Sequence, residues 1–378
     1  MIITKESAPH LRRKPTVRRM MIDVLIALAP TLIFAFIVFP AQTGYTLGIS
    51  LLIMIGCELA YIGLRNMMPK DGLKHSLKER FEHAYKGKID VTNILTPAIS
   101  AVIFTLIMPP TATIYAVIIG SLVGIILGKL VFGGLGSNIF NPAVVGMVFA
   151  KLCFGGQYAK VVDVPSWYYN LPSLPDGMAS ATPLGVLNGG TYANINYYSL
   201  DSLLFGQIPG TLGEVFKITI IVGLIYLLIR RSIDWRIPVS YLGMFSLLML
   251  IAGASVWALN PSVNPFIFML YNLLSGGVLF GAVFMLTDPV TSPINSPSRV
   301  MYGIIAAVFT VFIRLFAALP EGVAFSILIV NMLAPFLDHY EWSGSKYTTK
   351  KIIIISLLVI VPALFTFIII RFGGVYHV

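Results

Sequence analysis

Apolar residues run along this chain in long continuous blocks separated by short polar stretches. The alternating apolar and polar pattern of a half-buried strand is absent. Eleven such blocks fall at about 20–39, 46–64, 93–108, 111–131, 139–154, 212–229, 237–257, 267–286, 301–318, 322–338 and 352–371. A membrane-crossing helix needs roughly 20 such residues, whereas a membrane barrel strand needs only about 10 with alternating character. The pattern therefore predicts an all-α integral membrane protein. The blocks at 93–108 and 139–154 are short for simple helices, and a broken or re-entrant path fits them.

Between the fifth and sixth blocks lies a long polar segment, 155–211, rich in Gly, Pro, Asn and Tyr and poor in charge. It divides the chain into 20–154 and 212–338, with five blocks on each side. An odd number of spans per half makes the second half run opposite to the first, which is the topology of an inverted repeat. The expected architecture is about ten transmembrane helices as two inverted five-helix repeats, with one extra C-terminal helix. The expected organisation is a tail at 1–19, repeats at 20–154 and 212–338, the loop at 155–211, and a final segment at 339–378 holding the eleventh span. Glycine and proline interrupt both halves, at Gly133-Gly134-Leu135-Gly136 and Asn141-Pro142, then at Ser275-Gly276-Gly277 and Asp288-Pro289. Paired interruptions can mark broken helices meeting at a ligand. Loop chemistry and close helix packing explain them equally from spacing alone.

Composition agrees with a lipid environment. Of the 378 residues 57% are hydrophobic and 11% charged, against about 25% charged in soluble proteins. The mean hydropathy is +0.86. The formal charge of +10 is explained by its placement. Most of the 26 Lys and Arg fall at 5–19, at 65–88, at Lys129, at 230–236, at Arg299 and at 346–351. These segments share one side if the N-terminus is cytoplasmic, which satisfies the positive-inside rule. The 155–211 loop is then extracytoplasmic, and nucleic-acid binding is not needed to explain the charge. The first apolar block is too long for a signal peptide core. The two cysteines, Cys57 and Cys153, are too few and too far apart for a metal cluster or a disulfide framework.

Some chemistries are excluded. His10, His75, His83, His339 and His377 all lie in predicted loops or termini, so paired intramembrane haem ligation is not supported. Gly128-Lys129 is followed by Leu130, and Val123 stands where a phosphate-binding loop needs glycine; no GxGxxG is present. Two ionisable residues lie within predicted spans, Glu58 and Arg314. Each is costly in lipid and must face the bundle, water or a partner. Glu58 is a candidate for an ion path, weighed against a paired structural group. Asp288, at a span end, reads as a turn or cap.

One short segment carries candidate reactive groups: Asp176-Gly177-Met178-Ala179-Ser180-Ala181-Thr182-Pro183-Leu184. Small residues let a bulky group approach the backbone. A threonine hydroxyl can attack a phosphoanhydride when a base and a metal ion activate it, giving a phosphoester. The same residues also make an ordinary Thr-capped turn before proline.

This segment resembles the flavin-attachment motif of the D subunit of Rnf-type electron-transport complexes and of the related B subunit of the sodium-pumping NADH:quinone reductase. The likeness extends to Ser7-Ala8-Pro9-His10 and the 18–28 run, to the 129–143 run from Lys129 through Gly133-Gly134-Leu135-Gly136-Ser137-Asn138 to Asn141-Pro142-Ala143, and to 281–295 with Thr287-Asp288-Pro289. Ala179 departs from the Ser or Thr common in the family. Length and the lack of a long N-terminal extension favour the Rnf type; the span after His339 is unusual for it.

The resemblance implies FMN joined through its phosphate to Thr182, with Asp176 and Ser180 in the motif, and noncovalent riboflavin near the cytoplasmic side at Asn138 and Asn141. Amides suit the polar edge of a flavin ring, although both asparagines also suit helix capping. It implies a urea-transporter-like scaffold in a bacterial cytoplasmic membrane. Its partners would be the other Rnf subunits of the A, B, C, E and G types and a flavin transferase. Its task would be electron transfer between ferredoxin and NAD coupled to Na⁺ or H⁺ movement, with no complete activity in this chain alone. The rival readings are a secondary transporter or channel, the B subunit of the quinone reductase, and a structural membrane subunit.

Overall fold

Backbone groups in a bilayer must find their partners within the spanning element, and for long apolar runs that element is the helix. The computed structural model describes residues 17–67, 85, 89–158, 182–188, 198–259, 261–317, 322–339 and 346–372, and every element among them is helical. The helices are α1 (Val17–Val38), α2 (Pro40–Asn66), α3 (Thr92–Ile107), α4 (Ile114–Gly128), α5 (Pro142–Cys153), the short α6 (Pro183–Asn188) and α7 (Leu200–Phe205), α8 (Lys217–Arg230), α9 (Arg236–Trp257), α10 (Pro265–Leu274), α11 (Val278–Phe280), α12 (Ser296–Phe316), α13 (Val323–Leu337) and α14 (Thr349–Phe372). A helix stands at each of the eleven predicted blocks. The chain is a multi-pass membrane protein. Among the described residues, six helical stretches are long and apolar enough to cross a bilayer: α1, α2, α4 with its following turn, α9, α12 and α14. A seventh is the α10–α11 pair, which is bent by 63°.

The two short blocks are not broken. They form continuous helices, α3 of 16 residues and α5 of 12. The break lies in the 267–286 block, at Ser275-Gly276-Gly277. There Gly276 takes φ +62°, a left-handed conformation that glycine adopts without the Cβ clash. The chain then resumes as α11 and a single π-helical turn, Gly281–Met285.

Helix α2 keeps polar groups on its buried face and apolar groups outside. The buried stripe of α2 is Thr43, Thr46, Ser50, Met54 and Glu58, at helical spacing, while Leu52 and Leu64 point outward at 78% and 72% exposure. Lipid solvates the outer face, so polar groups are kept for the interior and pair there. Ser50 and Thr105 share a hydrogen bond of 3.0 Å between α2 and α3.

Small residues allow the closest approaches. Gly120, Gly124 and Gly128 of α4 form a stripe one turn apart against Pro142 and Gly146 of α5; a Cβ on Gly124 would lie 2.6 Å from the Pro142 carbonyl oxygen. Without a hydrophobic drive between helices in lipid, such packing is a main source of association. The packing order is the same on both sides of the 155–211 loop. Helix α2 packs on α3 and α4, and α4 on α5; α9 packs on α10 and α12, and α12 on α13.

Helices α1 and α8 join the two sides. Gly223 sits against the Ala27 carbonyl, Phe34 stacks on Phe216 at 4.2 Å, and Thr31 donates to Thr219 at 3.2 Å. At one end the buried Asp23 accepts from Arg230 Nη2 (3.1 Å), Ser232 Oγ (2.6 Å) and Tyr226 OH (3.3 Å). In the next loop Asp234 accepts from the Arg236 backbone N–H (2.9 Å) and side chain (3.0 Å) and from Arg299. Burial works to raise the Asp234 pKa. The Arg236 N–H and the two guanidiniums outweigh it and hold the carboxyl below its usual value.

Gly124→Ala is expected to destabilise by about 1–3 kcal/mol through overpacking. Gly48→Ala, where nothing lies within 4 Å of the new methyl, is expected to be neutral or to stabilise by up to about 1 kcal/mol; melting in detergent checks both. A carboxyl with a lowered folded pKa stabilises above its unfolded pKa, and that contribution is lost as pH falls through the folded value. Asp234→Asn is accordingly expected to melt lower at neutral pH, with the gap closing below about pH 3.9.

Candidate functional site

Two cavities sit at opposite ends of α8. The first is the larger of the two. Its walls come from the start of α1 (Met20, Met21, Val24), from α3 (Thr96, Ile99, Ser100), from the turn after α4 (Lys129, Leu135, Asn138, Asn141), from the far end of α8 (Leu227) and from the stretch after the π turn (Thr287, Asp288, Pro289). The second, smaller one lies between Thr182, Pro183, Leu184, Pro209, Glu214, Lys217 and Gly276. Lys217 begins α8 and Leu227 lies ten residues on, so the helix rises about 15 Å from one cavity to the other.

The first cavity is shaped by glycine. Gly133, Gly134 and Gly136 take φ of +110°, +90° and +85°, folding the chain back so that Asn138 and Asn141 are both buried. Asn138 donates its amide nitrogen to the Phe140 carbonyl at 3.1 Å. Asn141 caps α5, its oxygen accepting from the Ala143 N–H at 3.1 Å. Both therefore do the capping chemistry that the sequence suggests. Among the described residues, no other hydrogen bond uses Asn138 Oδ1 or Asn141 Nδ2. One acceptor and one donor group thus remain for the cavity. A mostly apolar chamber with a few convergent polar groups is the usual form of a small-molecule site. The amide pair also fits the alternating donors and acceptors of a flavin ring edge.

Lys129 corrects an expectation. Its place among the charges that orient the chain implies an exposed residue, but it is 3% exposed. Its Nζ lies 2.9 Å from Glu58 Oε2 and donates to Thr96 Oγ1 at 3.0 Å. Glu58 thus has a partner in Lys129. No sequence signal pointed to this partner, because the two residues lie on different helices far apart in the chain. Asp288 is the turn residue that its position predicts: its carboxylate accepts from the Val290 N–H (3.2 Å) and from Thr291 Oγ1 (3.4 Å). It also lines the first cavity, which the turn reading missed. Burial pushes its carboxyl pKa up, against the pull of that N–H, the Thr291 hydroxyl and Lys129.

The second cavity holds Thr182 at its rim, half-buried. Its Oγ1 accepts from the Gly185 N–H at 3.2 Å, which is the cap geometry. The segment is pinned from below by Tyr271, whose hydroxyl donates to the Pro183 carbonyl at 3.2 Å. Gly276 gives room: a Cβ there would meet Leu184 at 2.8 Å. Lys217 lines this cavity, and Arg314 lies close to Gly276. Lys217 donates to the Gly276 carbonyl at 2.8 Å and to the Glu214 carbonyl. Arg314 donates to the carbonyls of Asn272 (2.6 Å) and Ser275 (3.4 Å) and lies 5.2 Å from the Phe245 ring centroid. An oxyanion attached at Thr182 would meet Lys217, with Glu214 beside it as a counter-charge. Asp176 and Ser180 lie outside the described residues.

The fold and the cavities define a class: a multi-pass helical membrane protein with a chamber carrying a few polar groups at each end of α8. The chain belongs to the NQR2, RnfD, RnfE family, whose model matches residues 4–347; α14 lies beyond that match. It is 28% identical over 350 residues to the D subunit of the Na(+)-translocating ferredoxin:NAD(+) oxidoreductase complex of Acetobacterium woodii, covering 92% of this chain and 96% of that protein. It is 29% identical over 357 residues to the D subunit of the proton-translocating ferredoxin:NAD(+) oxidoreductase complex of Clostridium ljungdahlii, covering 93% and 97%. The B subunit of the Na(+)-translocating NADH-quinone reductase of Chromohalobacter salexigens is 34% identical over 247 residues, covering 64% and 57%.

Removing one partner of a buried ion pair leaves an uncompensated charge, at a cost of about 3–5 kcal/mol, whereas replacing both with uncharged residues of similar shape is often neutral. Lys129→Met and Glu58→Gln are each expected to lower the melting temperature sharply, and the double variant to recover most of the loss in the same detergent melt.

Proposed function

We propose that this chain is the D-type membrane subunit of an Rnf-type ion-translocating oxidoreductase complex and carries electrons between flavins held at its two cavities. The observation that carries this is the match along nearly its whole length to the D subunits of two ferredoxin:NAD(+) oxidoreductase complexes. A flavin supplies reversible electron uptake and release at each place. Thr182 offers the hydroxyl that would hold FMN by a phosphoester, beside the cations Lys217 and Arg314, with Asp176 and Ser180 as the rest of the attachment motif. Asn138 and Asn141 offer the amide groups that would orient riboflavin in the larger chamber. A separate transferase attaches the FMN, and other subunits supply the ferredoxin, NAD and iron–sulfur sites.

The two halves are read as inverted five-helix repeats, 20–154 and 212–338, supported by their matching packing order. The N-terminus and the first chamber face the cytoplasm and Thr182 the opposite side, in a bacterial cytoplasmic membrane. The relatives named above differ in their ion, so the cargo is Na⁺ or H⁺. Moving one charge against 100 mV costs about 2.3 kcal/mol, which a modest drop in electron potential supplies.

The test is a denaturing gel of the chain made in a host with the flavin transferase, viewed under ultraviolet light. Wild type is expected to fluoresce and Thr182→Ala to lose the band entirely. A dark wild type, or a fluorescent Thr182→Ala, contradicts the attachment. Solute uptake by the chain alone in vesicles would favour a transporter.

A further inference from the structure

We propose that Lys129 is the positioning residue that sets the reduction potential of the electron carrier taken by the first cavity, with Glu58 as its fixed counter-charge. The inference rests on the reading of that cavity as a flavin chamber.

Geometry supplies the case. Lys129 and Thr96 are both cavity walls, and Glu58 is not. Lys129 therefore stands on the chamber side of Glu58, its Nζ 2.9 Å from the Glu58 carboxylate and 3.0 Å from the Thr96 hydroxyl. Lys129 and Glu58 are 3% and 2% exposed. Taking two charges out of water costs several kcal/mol per ion, and an uncharged pair of the same shape would pack as well. Stability alone thus gives no reason for a buried ion pair here. Nor does solubility, since neither group reaches water.

A charge in a low-dielectric wall acts strongly on whatever the chamber holds. A carrier that takes electrons gains negative charge, which a nearby ammonium stabilises and a nearby carboxylate opposes. The electrons come from a neighbouring redox centre of the complex, which is oxidised by the same number. No bond to Lys129 forms, and its proton stays in place. Asp288 stands on another wall of the chamber and works against Lys129. Because the ammonium is the nearer member of the pair, the pair as a whole favours the reduced carrier.

The sign of two single variants tests this. In the assembled complex, with the noncovalent flavin followed by spectroelectrochemical titration, Lys129→Met is expected to lower its midpoint and Glu58→Gln to raise it. Each shift should be at least about tenfold in the oxidised-to-reduced ratio at fixed potential, ~30 mV for a two-electron carrier. A purely structural disturbance has no reason to move the two variants in opposite directions. The covalent flavin at Thr182 should not move. The double variant leaves no unpaired buried charge, so it remains testable if the singles fail to assemble. Its midpoint should lie below wild type and above Lys129→Met. An unmoved midpoint in variants that keep the flavin, or two singles shifting the same way, overturns the role of Lys129 alone. A wild-type complex that releases no noncovalent flavin on mild denaturation overturns the flavin reading of the chamber, and this role with it.

Discussion

A helix that stops among other helices leaves its last carbonyls without intrahelical partners, and there is no lipid group to take them. That constraint governs this molecule wherever its apolar blocks are interrupted. At the end of α10 the orphan carbonyls of Asn272, Ser275 and Gly276 are taken by Arg314 and Lys217. At the end of α4 the chain turns through three left-handed glycines, and Lys129 lies buried at the turn. At both of these interruptions a cationic side chain lies buried beside a chamber. The cavities follow from how the breaks are satisfied.

The same constraint explains why the outside of the bundle is uninformative and the inside is not. Outward positions need only be apolar, as Leu52 and Leu64 are. Inward positions must be small enough to pack or polar with a partner. Gly124 against Pro142, Ser50 with Thr105, and Asp23 with Arg230 are three solutions to one problem. Asp23 and Gly223 lie on the α1–α8 seam, so the element that separates the two chambers is also the one that ties the two sides of the chain together.

The apolar blocks are legible because their length and continuity report directly on the solvent, and each becomes a helix. The break at Gly276 is legible as a glycine signal but not as a bend, since Gly-Gly serves loops and packing equally. The motif at Thr182 is legible only through resemblance; its local hydrogen bond is that of an ordinary cap. Lys129 misleads because a lysine next to a predicted span end is usually exposed, and sequence alone cannot pair it with a glutamate on another helix. Asp288 shows the complementary limit: a turn signal is correct about the backbone and silent about the chamber its carboxylate faces.

The central claim is that the two chambers open toward opposite faces of the membrane. Cysteines introduced as Asp201→Cys near the Thr182 end and Ile294→Cys near the Asp288 end, in a chain with Cys57 and Cys153 replaced, test it with a membrane-impermeant thiol reagent. In right-side-out vesicles the first should label and the second should not, and inverted vesicles should reverse the result. Labelling of both from one face would contradict it.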